Sequence, residues 1–264
     1  MKGAPALTRA RGTPVRRGDL VLVRHGRTAW NEAGLIIGWE DPPLSATGAA
    51  EAERAGQLVA AEQLRITRVY TSLARRAVAT AAEVVRHLDG PQPDVIGDWR
   101  LNERHFGQLQ GLDRAAAFER FGRAAVRSWK HDRDAVPPAL VTTDMAHPVH
   151  DPRYRGVDPA LLPGAESMAN LVVRVLACWR ERIAPSLEEG HDVLIVSHLH
   201  SLNAIAAELR RSGSGAAGSR ARTHAIPAFA PGEPVVFRSP VTASSHRRSH
   251  VEWPSRENEA RVRM

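Results

Sequence analysis

The chain holds one cysteine, Cys178, in 264 residues, so no intrachain disulfide can form and a packed core must hold the fold. Lysine is almost absent. Lys2 and Lys130 are the only two, and arginine carries the rest of the positive charge as rigid forked donors. Aromatic residues make up 5% of the chain, which leaves Ala, Leu and Val to fill most of the interior. No apolar run approaches the roughly 18 residues of a membrane span, and no membrane partner is expected. The basic N-terminus lacks an apolar stretch long enough for a secretory signal. With one cysteine set in an apolar helical pattern, a reducing, cytoplasmic location is expected.

What is present is a chain with 43% apolar residues and a net charge of +7. The length suits one large domain, and the basic balance favours anionic ligands. Residues 1–18 are rich in Arg, Gly, Pro and Ala without periodicity and read as a mobile basic arm. Residues 19–240 read as the catalytic domain, and 241–264 as a disordered tail. Within the domain, Leu20–Val23 and Val193–Val196 read as buried strands, and Val69–Tyr70 and Asp94–Ile96 as short strands. Ser45 and Ser167 can each cap a helix. Further helices are expected over Ala77–Leu88, over roughly 113–121 and over Leu202–Leu209. Pro234–Arg238 reads as an edge strand. The alternation predicts an α/β fold, a three-layer αβα sandwich around a mainly parallel sheet. Residues 131–163 contain six prolines and read as a long surface excursion of the kind that often carries function.

The chemistry concentrates at strand ends. Arg24-His25-Gly26 follows the first strand and Ser197-His198 follows the last. Open α/β sheets place their sites outside the carboxyl ends of the strands, so both imidazoles are expected at one site. A histidine flanked by arginines there is suited to taking a phosphoryl group.

Arg24-His25-Gly26-Arg27-Thr28-Ala29-Trp30-Asn31 resembles the signature of the histidine phosphatase superfamily. The match extends through Gly38-Trp39, Tyr70-Thr71-Ser72, Arg76-Ala77, Leu101-Asn102-Glu103-Arg104-His105-Phe106-Gly107, Leu109-Gln110-Gly111, Pro137-Pro138, His150–Tyr154, Glu166-Ser167 and Ser197-His198. Order and approximate spacing hold over residues 20–209. Within the superfamily the pattern is most similar to the 2,3-bisphosphoglycerate-dependent phosphoglycerate mutase branch. The resemblance implies a phosphoglycerate mutase-like fold and interconversion of 2- and 3-phosphoglycerate. The route would be a phosphohistidine primed by 2,3-bisphosphoglycerate, with no metal.

It also implies roles. His25 would be the nucleophile, neutral and with one ring nitrogen held by a backbone carbonyl. His198 would face it, and Arg24 and Arg76 would fork onto the phosphoryl oxygens. Glu103 would be the general acid and base, with a pKa raised toward neutrality. Substrate contacts would come from Arg24 to Asn31, including Gly26, Arg27, Thr28, Ala29 and Trp30. Ile37, Gly38 and Arg76 would add to them, as would Glu103, Arg104, His105 and Phe106. Arg114, Lys130, His131, Leu199 and His200 complete the set. A small phosphate ester is the expected substrate, and a homodimer or homotetramer is compatible with the resemblance.

The chain departs from the pattern at several of these positions. Lys130-His131 replaces an arginine pair, Phe106 a tyrosine, Leu199 a glycine and His200 an asparagine. Arg27 stands where glutamate is common, and Arg114 replaces a lysine. The family's closing C-terminal segment is expected to be missing. These changes surround the substrate grip and spare the phosphoryl-transfer core, which keeps hydrolysis of phosphomonoesters open as an alternative. His198-Leu199-His200, with His147 and His150, has metal-ligand spacing, but no carboxylate adjoins it and no metal is expected. Arg210, Arg211, Arg220, Arg222, Arg247 and Arg248 lack interleaved aromatics, so nucleic acid is not an expected partner.

Overall fold

The computed structural model describes residues 16–213 and 228–239. In chain order the elements are β1 (Leu20–Arg24), α1 (Ala29–Glu32), α2 (Ala46–Ala61), β2 (Ile66–Thr71), α3 (Arg75–Arg86) and β3 (Asp94–Gly97). Then come α4 (Arg114–Phe121), α5 (Arg123–His131), α6 (Met168–Cys178), α7 (Ala184–Glu188), β4 (Asp192–Ser197), α8 (Leu199–Gly213) and β5 (Val235–Phe237). The five strands form one sheet in the order β3-β2-β4-β1-β5. β1 to β4 pair in parallel, and β5 closes one edge antiparallel to β1. The fold is mixed α/β, as the sequence predicts.

Two-residue alternation along the strands sorts the core into two layers. Val21, Val23, Val69, Leu194 and Val196 pack on Ala55 and Val59 of α2 and on Ala77, Ala81 and Val84 of α3. Leu20, Leu22, Tyr70, Val193 and Ile195 face the other way. They pack on Leu171, Val175 and Cys178 of α6 and on Leu202 and Ile205 of α8. Ser45 and Ser167 cap α2 and α6 through their hydroxyls, as expected. A single π-turn over Trp179–Ile183 joins α6 to α7.

Three regions differ from the expected outline. α5 is an added helix with no fully buried residue; its short apolar side, Ala125, Val126 and Trp129, is half-buried, and Trp129 packs edge-on to Phe121. The Pro-rich excursion folds into three short 3₁₀ turns that build a small core of their own. There Tyr154 and Leu162 are buried against Trp39, and Asn102 Nδ2 donates to the Tyr154 hydroxyl at 2.8 Å. Of the expected basic arm only Arg16–Gly18 is described, and it is tied to the domain. Arg16 pairs with Asp19 and Asp192, and Gly18 N–H donates to the Leu187 carbonyl. The expected tail over 241–264 lies outside the described residues.

Candidate active site

Strand register brings the two histidines together. β1 and β4 pair Arg24 with Ser197, and His25 N–H continues the ladder onto the Ser197 carbonyl at 3.0 Å. The residues that follow, His25 and His198, therefore leave the sheet side by side. Their rings lie 4.8 Å apart, edge to face. Both are buried, at 4% and 0% exposure.

Each imidazole is fixed in one tautomer by its neighbours. His25 Nδ1 lies 2.8 Å from the Gly26 carbonyl, which can only accept. Nδ1 therefore carries the proton and Nε2 keeps a lone pair. Burial pushes the His25 pKa down to about 3; Arg76 and Arg24 add to this, and the Gly26 carbonyl and Glu103 oppose it. His25 is thus neutral and nucleophilic at pH 7. His198 is also held well below the usual range, by burial first and then by Arg76 and His25. Its Nδ1 faces Arg76 Nη2 at 3.4 Å, and its Nε2 lies 2.8 Å from Ser72 Oγ. A guanidinium only donates, so Nδ1 accepts and Nε2–H donates to the serine.

The turn after His25 depends on glycine. A Cβ on Gly26 would sit 2.1 Å from the Gly48 carbonyl oxygen at the start of α2. Only this pair of bare backbones lets residues 25–28 lie against the helix. Gly26 N–H donates to Thr80 Oγ1 of α3, which fixes the turn from the other side.

Arg76, on α3, is 1% exposed and donates to the carbonyls of Gly38 and Glu40 at 2.8 Å each. Burial lowers its pKa to about 10, so it remains a cation. Arg24 donates to the Phe229 carbonyl at 3.3 Å, and burial lowers its pKa too. The Nε of Arg24 and the Nε of Arg76 are both buried without a hydrogen-bond partner. Unpaired cationic donors in a dry site are costly, and an anion would satisfy them. The Phe229 contact ties residues 228–239 to the end of β1. A C-terminal segment thus reaches the site, with Phe229 buried at 2%.

Glu103 is fixed through its backbone. Its carbonyl accepts from Trp39 Nε1 at 2.6 Å and from Arg174 Nη2 at 2.8 Å. Arg174, on α6, is itself paired with buried Glu166 at 2.6 Å and also donates to the carbonyls of Arg100 and Asn102. On the carboxylate, Oε1 accepts from Arg104 N–H at 2.7 Å and from His200 Nδ1 at 2.9 Å. Burial pushes the Glu103 pKa up, but the charge and hydrogen bond of His200, then His198 and Arg104 N–H, outweigh it. The carboxyl is held below the usual carboxylate range. The expected rise is one that bound phosphate would cause; the protein's own groups set a lowered value. The sequence places His200 beside substrate phosphate, whereas the structure places it on Glu103. Glu103 in turn raises the His200 pKa against the pull of burial.

The remaining expected contacts fall into two groups. Some are committed to holding the backbone. Thr28 and Asn31 form a capping box on α1, with Trp30 half-buried and Ala29 exposed beside them. Ile37 is buried, and Gly38 gives its carbonyl to Arg76. Arg104 spends three donors on the carbonyls of Glu166, Trp129 and Ala135. His105 is fully buried beside Trp39, and burial lowers its pKa to about 3. Phe106 packs edge-on to His200 at 6.0 Å, and Leu199 is half-buried against the core.

Others stand in the open. Arg27 pairs with Glu51, and Arg114 is exposed at the start of α4. Lys130 and His131 are exposed at the end of α5. No contact among the described residues joins Arg114, Lys130 or His131 to the two histidines. Sequence reasoning missed Ser72 as a His198 partner and Arg174 as the anchor of Glu103. Arg174 carried a signal: it lies on the inward stripe Leu171, Arg174, Val175, Cys178, where an arginine needs buried acceptors. His147 and His150 gather no further ligands, and the described residues contain no cluster able to hold a metal ion. No helix among them is long and apolar enough to cross a membrane.

Two neutral imidazoles thus meet at parallel strand ends, with the guanidinium groups of Arg24 and Arg76 beside them, in an α/β fold. The chain belongs to the histidine phosphatase superfamily. Residues 20–147 match the model of branch 1 of that superfamily. The chain is 44% identical over 190 residues to a 2,3-bisphosphoglycerate-dependent phosphoglycerate mutase of Nitratidesulfovibrio vulgaris, covering 72% of this chain and 76% of that protein. Among solved structures it is similar to a mycobacterial glucosyl-3-phosphoglycerate phosphatase in complex with VO3 (TM-score 0.57, 25% identity, 74% of this chain and 81% of that one). It also shares the fold of phosphoglycerate mutase from Bacillus anthracis (TM-score 0.56, 22% identity, 76% and 84%).

Proposed function

We propose that this protein interconverts 2- and 3-phosphoglycerate through a phosphoryl group carried on His25. The observation that supports it most is the fixed tautomer of His25, with Nε2 left unprotonated beside His198 and with Arg24 and Arg76 nearby, each carrying a buried, unpaired Nε. The 44% identity to a named mutase points the same way. 2,3-Bisphosphoglycerate would supply the priming phosphoryl group. The residues fit such a polyanion, because the orphaned Nε donors of Arg24 and Arg76 need anionic acceptors.

Each residue then has a defined task. Gly26 holds the His25 ring so that Nε2 can attack phosphorus. The transition state of phosphoryl transfer is loose and spreads charge over its peripheral oxygens. Arg24 and Arg76 meet that charge with cations that are already desolvated and already oriented, which avoids reorganisation during the step. His198 is held by Ser72 and Arg76 and presents its edge to the same space. Glu103 serves the proton on the leaving and incoming oxygens. The cytoplasm as location and a homodimer or homotetramer as assembly belong to the same reading.

A specific observation favours a second reading, hydrolysis of phosphomonoesters. Lys130 and His131 stand exposed where the resemblance implies a bidentate pair. A weaker grip would let water compete for phospho-His25, and one solved relative is named a phosphatase. Mixing the protein with 3-phosphoglycerate, with and without 2,3-bisphosphoglycerate, separates the two. Primer-dependent 2-phosphoglycerate is the expected product. Inorganic phosphate without isomerisation would assign the hydrolase.

A further inference from the structure

We propose that Glu103 and His200 work as one proton-holding pair, in which His200 stores the proton that Glu103 delivers to the leaving oxygen and takes it back from the incoming one. The inference rests on the reading of His25 as the phosphoryl acceptor.

The geometry is asymmetric in a useful way. Both hydrogen bonds to the carboxylate fall on Oε1, from Arg104 N–H at 2.7 Å and His200 Nδ1 at 2.9 Å. Among the described residues Oε2 has no protein donor, so it is the oxygen left for substrate. The His200 ring is braced edge-on by Phe106 at 6.0 Å, and Phe106 is covered in turn by the Arg104 guanidinium at 5.3 Å. The side chain is 34% exposed, so the imidazole also reaches solvent. An imidazole placed this way can receive a proton from water on one nitrogen and pass one on from the other.

The surrounding charges single out one partner. Arg104 in the loop before Phe106 and Arg24 at the end of β1 both oppose a protonated imidazole. Glu103 alone favours it, and it prevails over both and over burial. The asparagine that the resemblance implies here could donate a hydrogen bond to Glu103. It could not give up a proton at any accessible pH. Exchanging asparagine for histidine therefore changes the chemistry of the carboxylate as well as its orientation.

The step balances as follows. The ester P–O bond breaks as a P–N bond forms to His25 Nε2. His200 Nδ1 gives its proton to the Glu103 carboxylate, and the carboxyl group so formed turns and hands it to the leaving oxygen. The carboxylate ends as it began, and the imidazole becomes neutral. In the return step the incoming hydroxyl loses its proton by the same route while the P–N bond breaks. His200 acts through Glu103 and is a positioning residue with a proton to lend.

The test compares phosphohistidine formation on His25 in wild type, His200→Asn and His200→Gln by rapid quench. One donor is 2,3-bisphosphoglycerate, whose leaving oxygen needs a proton. The other is p-nitrophenyl phosphate, whose leaving group does not. We expect both variants to slow the first reaction by about tenfold or more, a share of the 10²–10⁴ typical of general acid catalysis, and to leave the nitrophenol burst within about threefold. Equal slowing on both donors would overturn the pair and leave His200 a packing residue. Imidazole NMR gives a readout free of turnover. His200 should titrate above the ordinary histidine range in wild type and fall back in Glu103→Gln; the same titration in both overturns the coupling. A wild type that forms no phosphohistidine from either donor overturns the His25 reading itself.

Discussion

The strand-end half of the site and its outer rim are built in opposite ways. At the strand ends, His25, His198 and Arg76 are buried, Arg24 and Glu103 are partly buried, and backbone groups hold most of them. Gly26 fixes His25, two carbonyls clamp Arg76, and Trp39 and Arg174 hold the Glu103 carbonyl. At the rim, Arg27, Arg114, Lys130 and His131 are exposed on or beside helix ends. The first half is over-determined, because sheet register alone aligns residues 25 and 198. The second depends on side chains that can change without disturbing the fold. Chemistry in such a protein should resist divergence while specificity drifts; Arg27, Arg114, Lys130 and His131 fit that contrast, whereas Phe106, Leu199 and His200 depart from the family pattern beside Glu103 and the core.

The largest effect should come from the strand-end half. His25→Ala is expected to abolish the phosphoenzyme formed from 2,3-bisphosphoglycerate, read by intact mass as loss of the phosphoryl adduct. Since Ser72 and Arg76 hold His198 independently, the variant should fold normally. An adduct that persisted would place the nucleophile elsewhere and dissolve the contrast at its root.

Glu103→Gln should rank next. Turnover of an alkyl phosphate is expected to fall by roughly 10²–10⁴, while the first turnover of an activated aryl phosphate is spared. Steady-state and burst rates on the two esters measure this. Equal losses on both would show that Glu103 holds substrate or structure, which would move it from the chemical half into the grip.

Much of the inner half is legible in the sequence, and for a physical reason. Short apolar strands, the serine caps at Ser45 and Ser167, and histidines at strand ends are local signals with period or position. The residues that position the site are less legible, because their partners are remote. Nothing local links Glu103 to His200, 97 residues away, or Arg174 to the Glu103 carbonyl. The imidazole beside Glu103 is hidden for that reason, since only the fold brings residue 200 to residue 103. α5 is hidden differently: its apolar side, Ala125, Val126 and Trp129, spans barely one turn, too short a stripe to stand out.

A third effect concerns stability. His25 and His105 both have pKa values near 3 in the fold against an ordinary 6.5, burial being the first cause in each. Their folded values are depressed, so below about 6.5 the unfolded chain binds protons that the folded one refuses. The stabilisation is complete above that value and is lost as pH falls toward 3. The melting temperature should therefore drop progressively across this window. His105→Asn, which removes one such group away from the proposed chemistry, should flatten the drop. A melting temperature independent of pH between 6.5 and 4 would mean that the inner half is wetter than its packing implies.

The smallest effect should come from the rim. Lys130 and His131 close α5, a helix joined to the body partly by Arg104, which donates to the Trp129 carbonyl beside them. The backbone there is anchored while the two side chains are free to vary. Lys130→Arg with His131→Arg would restore two forked donors at that anchored place. Exposed charge pairs are worth little, and charge-assisted contacts to a phosphate or carboxylate somewhat more. The expected outcome is a Michaelis constant for 3-phosphoglycerate lower by about threefold to tenfold, with kcat changed little, because the groups would grip ground state and transition state alike. A fall in phosphate release relative to isomerisation should accompany it, as the substrate is held longer against water. If neither number moves, α5 does not meet the substrate. The grip would then have to be sought among residues nearer the strand ends, and inner chemistry and outer specificity would merge into one set of side chains.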